Sequence, residues 1–327
     1  MPHVKSILVP IDTREKNAEP IVIWAVLVAR TFGSRLILLH VNESEASLRA
    51  YPSFGSSEPG APATADQWAQ ADEQAARTAL ARLANHDCVG VTADPIVLRG
   101  RPPAVILGAI ESTACDLVVM GTHARPWHQR LLLGSTAEAV LRTSAVPVLI
   151  VRNTAPVPSP VRLTRLLFPT DFSAASAAGQ GWTGTLARHG VKDIVLVHVI
   201  ENPLLDVYAP DTAAFDLPRL MEESRQHLPR SAKPYWEHAY RVAHDKLRSL
   251  RQQFLGAPAY ASQVDIQVSE GPAAENILAI AREKAPDVIV MATHGHTGVR
   301  HLMLGSVTEK VMRTAMCPLL AVPSNDS

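Results

Sequence analysis

Short apolar runs, separated by longer segments with helical spacing, recur along the chain. Residues 4–10, 35–41, 91–98, 116–120 and 147–151 are brief, apolar and rich in β-branched side chains, so each predicts a strand. Between them, 16–32, 65–85, 102–113 and 135–144 carry helical patterns. The strand runs are continuously apolar rather than alternating, which implies a sheet covered on both faces. Such strand–helix alternation predicts right-handed βαβ units and a doubly wound α/β fold with a five-stranded parallel sheet. Ligands of these sheets bind beyond the carboxyl ends of the strands, where the strand order reverses.

The pattern then occurs a second time. Ser6-Ile-Leu-Val-Pro-Ile-Asp12 returns as Arg165-Leu-Leu-Phe-Pro-Thr-Asp171, and Leu36-Ile-Leu-Leu-His-Val-Asn42 as Ile194-Val-Leu-Val-His-Val-Ile200. Cys115-Asp-Leu-Val-Val-Met-Gly-Thr-His123 returns as Pro286-Asp-Val-Ile-Val-Met-Ala-Thr-His294. Leu133-Gly-Ser-Thr-Ala-Glu138 matches Leu304-Gly-Ser-Val-Thr-Glu309, and Val146-Pro-Val-Leu-Ile-Val151 matches Cys317-Pro-Leu-Leu-Ala-Val322. His40 to His198 is 158 positions and Gly134 to Gly305 is 171, so the second copy is longer by 171 − 158 = 13 residues. The excess falls in the polar, Pro-punctuated stretch from about 202 to 234, which reads as a lid or surface elaboration. Three prolines between 152 and 160 mark a semi-rigid linker. The expected division is a first domain over 1–152, a linker over 153–162 and a second domain over 163–327. A length of 327 residues suits two domains.

Charge narrows the functional classes. Lys plus Arg and Asp plus Glu both number 31, so there is no general pull toward nucleic acid or an anionic membrane. No apolar stretch reaches the ~20 residues of a membrane helix. The apolar run ending at Pro10 is too short for a signal peptide. Cys88, Cys115 and Cys317 are an odd set without metal spacing, which reads as reduced thiols of a cytoplasmic protein.

Candidate chemistry lies at the carboxyl ends of the strands. Pro10 and Asp12, repeated as Pro169 and Asp171, end the first strand of each copy. An acidic residue there can accept hydrogen bonds from ribose or adenine, or hold a Mg²⁺ that bridges phosphates. It can equally be a turn Asp serving the next helix. His40 and His198 read as core residues, and Val41 and Val199 suit the apolar wall of a base pocket. The fourth strands end in Met120-Gly121-Thr122-His123 and Met291-Ala292-Thr293-His294, where a turn would let backbone N–H groups approach phosphate. Gly134-Ser135-Thr136 and Gly305-Ser306-Val307 follow and open a helix, placing free amides and a positive dipole end at the same rim. Ser135 with Glu138, and Ser306 with Glu309, also fit a capping box. The histidines near these rims, His123, His128, His294, His296 and His301, read as polar loop residues rather than metal ligands.

These residues resemble the universal stress protein family. Its nucleotide-binding members carry Gly, two residues, Gly, nine residues, then Gly-Ser or Gly-Thr. The second copy reads Ala292-Thr-His-Gly295, nine residues, Gly305-Ser306; the first reads Gly121-Thr-His-Ala124, nine residues, Gly134-Ser135. Each departs from the pattern once. Ala124, followed by Pro126, costs the first copy a permissive glycine and a backbone donor. The resemblance implies an adenine nucleotide alpha hydrolase-like fold and binding of ATP, ADP or AMP with Mg²⁺, more readily in the second copy. It implies nucleotide contacts from Asp171, Val199, Gly271, Gly295, Gly305, Ser306 and Val307, with Pro169, Met291 and His294 lining the same place and Asp171 as the metal residue. In the first copy the matching positions are Asp12, Val41, Gly100, Gly121, Gly134, Ser135 and Thr136, with Pro10 and His123 beside them. It further implies that the last strands, 146–151 and 317–322, pair within one chain as a pseudo-dimer, and two chains can associate further into a homodimer. Pro147 and Pro318 are compatible with edge positions. A slow ATPase or a nucleotide-free interaction scaffold are the competing readings. No GxxxxGK[ST] loop, no first-turn GxGxxG and no placed general base are present.

Overall fold

The computed structural model describes residues 3–14, 18–43, 65–122, 134–152, 163–201, 233–255, 263–293 and 304–324, with backbone alone at 65–69 and 233–235. In the first half the order is β1 (Ser6–Pro10), α1 (Glu19–Phe32), β2 (Arg35–Asn42), α2 (Ala65–His86), β3 (Ala93–Arg99), α3 (Pro102–Thr113), β4 (Leu117–Thr122), α4 (Ser135–Thr143) and β5 (Val148–Arg152). The second half repeats it as β6 (Arg165–Pro169), α5 (Ala174–Arg188), β7 (Asp193–Ile200), α6 (Lys233–Leu255), β8 (Gln263–Glu270), α7 (Ala273–Lys284), β9 (Val288–Ala292), α8 (Ser306–Thr314) and β10 (Leu319–Val322).

Punctuation residues set several boundaries. Pro20 stands at the start of α1, where a missing N–H costs nothing, and Gly33 ends the helix at φ 71. Two prolines likewise open α3. Ala114 and Ala285, at matching places after α3 and α7, both adopt the left-handed cap that favours glycine, at φ 47 and 45.

The strands form one sheet in the order β3-β2-β1-β4-β5-β10-β9-β6-β7-β8. Within each half all pairings are parallel, and the strand order reverses between β1 and β4, and between β6 and β9. β5 and β10 pair antiparallel, Leu149 opposite Leu320, joining two five-stranded sheets into one of ten. This antiparallel seam turns the carboxyl ends of the two halves toward opposite edges of the joined sheet.

Pro147 and Pro318 therefore do not mark edge strands. Each lies one residue before its strand, so no ladder N–H is lost, and each carbonyl accepts a bond from the neighbouring strand, from Val118 and Ile289 at 3.0 Å.

Both faces of the sheet are covered. Ile7 and Val9 point into one core layer and Leu8 into the other, which is why the strands read as unbroken apolar runs. Helices α1, α2, α5 and α6 cover the first layer; α3, α4, α7 and α8 cover the second. Each layer continues through both halves. At the amino edge, one carboxylate in each half clamps two backbone amides of the neighbouring strand entry. Asp116 takes Lys5 and Ser6 at 2.7 and 3.0 Å, and Asp287 takes Thr164 and Arg165 at 2.7 and 2.9 Å.

Across the seam α4 and α8 share a charged cluster. Glu138 holds Arg142 and Glu309 holds Arg313, each at 2.7 Å, and Arg313 reaches Glu138 at 3.9 Å. Arg152 donates to the carbonyls of Arg313 and Ala315 at the carboxyl end of α8, where a cation suits the helix dipole.

Candidate functional site

In the second half the chain leaves β6 through buried Pro169 and Thr170, whose amide donates to Val197 at 2.8 Å. Asp171 follows, half-buried. Its Oδ1 accepts from the Ser173 amide at 2.9 Å and from the Ser173 hydroxyl at 2.6 Å. Ser173 is the N-cap of α5, its Oγ accepting from Ser176 at 3.2 Å. Asp171 thus positions the cap rather than serving as one. A serine directly before an Ala-rich helical run was the signal for Ser173, and the sequence reading passed over it.

Between Asp171 and Ser173, Phe172 takes φ 60, an uncommon conformation for a bulky residue. Its ring lies 4.6 Å from that of His198, and the Lys246 ammonium of α6 sits 4.9 Å from its centroid. Neither Phe172 nor Lys246 was singled out from sequence, and nothing in the spacing joins residues 74 positions apart.

Val199 on β7 and Val307 on α8 pack against the same core layer that contains Met291 of β9. An apolar wall therefore stands on one side of the second rim, beside the start of α8. Gly271 closes β8 at φ 102, and its amide donates to Ile200 at 3.0 Å. Glu201 next to it caps α7 by accepting from the Ala273 amide at 2.8 Å.

Helix α8 begins one residue earlier than a capping box requires. Gly305 is the N-cap, without a side-chain cap bond, and Ser306 is already helical. Gly134 and Ser135 stand in the same relation to α4. The capping boxes are therefore not formed. Glu138 and Glu309 are turned instead toward Arg142 and Arg313. The Gly305 amide is also not free: it donates to Thr293 at 2.8 Å and closes the base of the intervening loop. Helical bonding starts with Glu309 N–H to Gly305, so the first-turn amides of Ser306, Val307 and Thr308 have no intrahelical acceptor. Thr308 ties the helix to the end of β9 through its hydroxyl, 2.9 Å from the Ala292 carbonyl.

The first half builds the same frame with other side chains. Pro10 ends β1 and Val41 and Met120 line the apolar wall. Gly121 is not in a turn. It and Thr122 extend β4, paired with Val151 and Arg152, because β5 is long enough to offer partners. Gly100 takes φ 143, and a Cβ there would come within 2.8 Å of Val105 Cγ2. Ser135 is exposed and Thr136 half-buried at the start of α4. Ala137 stands where Thr308 does, so the hydroxyl tether to the strand end is missing.

Asp12 is held by Arg14 in a two-pronged ion pair, Nε to Oδ1 at 2.9 Å and Nη2 to Oδ2 at 3.2 Å. Burial pushes this carboxyl up. The hydrogen bonds and charge of Arg14, with a smaller contribution from His40, outweigh that and hold it below the ordinary value.

His40 and His198 are buried core residues, as expected. Their Nδ1 atoms lie 3.0 and 2.8 Å from the carbonyls of Ile11 and Thr170. The three cysteines are unpaired. Burial pushes the thiols up, to about 11 for Cys88 and Cys115 and about 12 for Cys317, so they stay protonated at neutral pH.

His123, Ala124, Pro126, Trp127, His128, His294, Gly295, His296, Gly298 and His301, with the linker and most of the 202–234 stretch, lie outside the described residues. Among the described residues no group of three His, Cys, Asp or Glu could hold a metal, and no helix is long and apolar enough to cross a membrane.

Comparison with known proteins gives one answer for both halves. The model of the "Universal stress protein family" matches residues 3–152 and again 163–323. A universal stress protein of Mycolicibacterium smegmatis is 26% identical over 77% of this chain and 78% of its own length. Universal stress protein MJ0577 of Methanocaldococcus jannaschii is 24% identical over 51% of this chain and 99% of its own length. The crystal structure of a universal stress protein from Archaeoglobus fulgidus is 20% identical and superposes with a TM-score of 0.64 over 98% of this chain and 97% of that one.

Proposed function

The chain belongs to the universal stress protein family, and we propose that its second half binds ATP or a related adenine nucleotide, ADP or AMP, as a ligand or switch in a stress response. One observation carries the reading: at the second rim Val199, Met291 and Val307 share one apolar layer at the start of α8, whose first-turn amides have no intrahelical acceptor. The wall suits a purine face. The amides and the positive dipole end suit phosphate. Asp171, on the adjacent strand end, accepts from ribose hydroxyls. Mg²⁺ would take phosphate oxygens and water, with Asp171 as its protein ligand. A universal stress protein from Archaeoglobus fulgidus is known in complex with dAMP, which is a property of that protein. The case for this chain rests on its own residues. The first half is the weaker site, because Asp12 is already paired with Arg14 and the hydroxyl tether of Thr308 has no counterpart. Three unpaired cysteines agree with a cytoplasmic location.

Calorimetric titration of the full chain with Mg-ATP tests the reading. Heat of binding and a thermal shift are expected at millimolar nucleotide, both reduced in Asp171→Asn. Absence of heat and shift in the wild type overturns it.

A further inference from the structure

Positions 12–14 and 171–173 hold the same place in the repeat, directly after the first strand of each half. They read Asp-Thr-Arg and Asp-Phe-Ser. Ser173 caps α5 and is itself held by Asp171. In the first half the N-cap of α1 is Ala18, which has no side-chain cap bond. Arg14 turns back on Asp12 instead. Its guanidinium meets both carboxylate oxygens at 2.9 and 3.2 Å, and its backbone amide adds a third bond to Oδ1 at 3.1 Å. A carboxylate offers about four acceptor directions, so three bonds leave little for an incoming hydroxyl.

We infer that Arg14 is an internal occupant of the first rim: by filling the acceptor sites of Asp12 it attenuates nucleotide binding there. This rests on the reading of the rims as adenine-nucleotide sites. A ribose hydroxyl is a neutral donor. To reach Asp12 it must displace a charge-assisted, two-pronged partner, the stronger class of hydrogen bond. His40 also faces Asp12, while Asp72 and Glu43 face Arg14 and keep it charged. The pair is partly exposed, at 39% for Arg14 and 28% for Asp12. Solvent therefore limits its strength, and the effect is an attenuation of about two- to five-fold rather than a complete block.

The experiment compares four forms of the full chain by calorimetry with Mg-ATP: wild type, Arg14→Ser, Asp171→Asn, and the double variant. Asp171→Asn weakens the second site and leaves the first to be read. The double variant should bind about two- to five-fold more tightly than Asp171→Asn alone, with Arg14→Lys in place of Arg14→Ser falling between, since a lysine keeps the charge but not the fork. Equal affinity with and without Arg14 overturns the inference. A second readout needs no nucleotide: carbon-detected NMR titration of the Asp12 carboxyl. Its midpoint should rise toward the ordinary carboxylate value in Arg14→Ser, and an unchanged midpoint also overturns the inference. If no form binds ATP, the nucleotide reading fails, and the titration alone decides whether the lock exists.

Discussion

At the end of β2 the first half carries Asn42; at the same place on β7 the second carries Ile200. Both side chains are buried. Ile200 packs with Ala239 and Ala243 of α6, and Trp236 and Tyr240 lie against that cluster. Among the described residues the Asn42 Oδ1 has no hydrogen-bond partner, nor has the Nε2 of His40 two residues before it. The backbone is shared, and so is the anchoring of His40 and His198 through Nδ1. At this place the halves differ in what fills the space beside the strand end. A duplicated α/β frame is held by its strands and by the apolar layers on both faces, so side chains at the carboxyl rim can diverge without disturbing it.

The seam offers the most forceful way to break the comparison. Leu320 of β10 lies opposite Leu149 of β5, and both are 3% exposed. Leu320→Ala should cost about 2–5 kcal/mol by lost burial and residual cavity. Because both core layers run through both halves, denaturant unfolding should remain a single transition at a lower midpoint. Two separated transitions would mean that the halves stand independently.

The next test lies inside α5, where two of its three glycines, Gly179 and Gly181, have opposite surroundings. A Cβ on Gly179 would come within 2.9 Å of the Phe168 ring, whereas one on Gly181 meets nothing within 4 Å. Gly179→Ala should therefore lose about 1–3 kcal/mol from overpacking. Gly181→Ala should gain up to about 1 kcal/mol from helix propensity. Thermal melts that moved in the same direction would contradict the close packing of α5 on β6.

Asn42→Ile makes the first half resemble the second. Removing a buried acceptor without a partner should stabilise the chain by about 1 kcal/mol. A loss of stability would show that Oδ1 has a water or another partner in solution.

The smallest effect is a pH dependence. Burial raises the Asp12 carboxyl, but Arg14 and His40 bring it below its ordinary value. A carboxyl lowered on folding stabilises fully above its unfolded value near 4, and that contribution is lost as pH falls through the folded value. Arg14→Ser should flatten this part of the acid limb, as followed by stability against pH between about 5 and 2.

Much of this was legible in the residues. Strand and helix segments were placed within a few residues, because a strand buried on both faces must be apolar throughout and a half-buried helix must show its period. The pairing of 146–151 with 317–322 was what the family resemblance implied, and it is seen as the β5–β10 seam. The start of α8 was missed by one residue. Gly-Ser followed by Glu fits a capping box only if Ser306 is the cap, and the choice of Gly305 depends on its amide reaching Thr293 and on Thr308 reaching Ala292. Phe172, His198 and Lys246 come from three separate segments, so no local pattern could have joined them.

By itself the chain determined its element order, its duplication and the family it belongs to, since these are written in hydrophobic period and in repeated short runs that each turn or strand reads locally. Tertiary structure alone decided which partner each rim carboxylate takes, where the rim helices begin and how the two halves share one core. Those outcomes turn on rotamers and one-residue shifts whose energies are set by neighbours brought close only when the sheet is assembled.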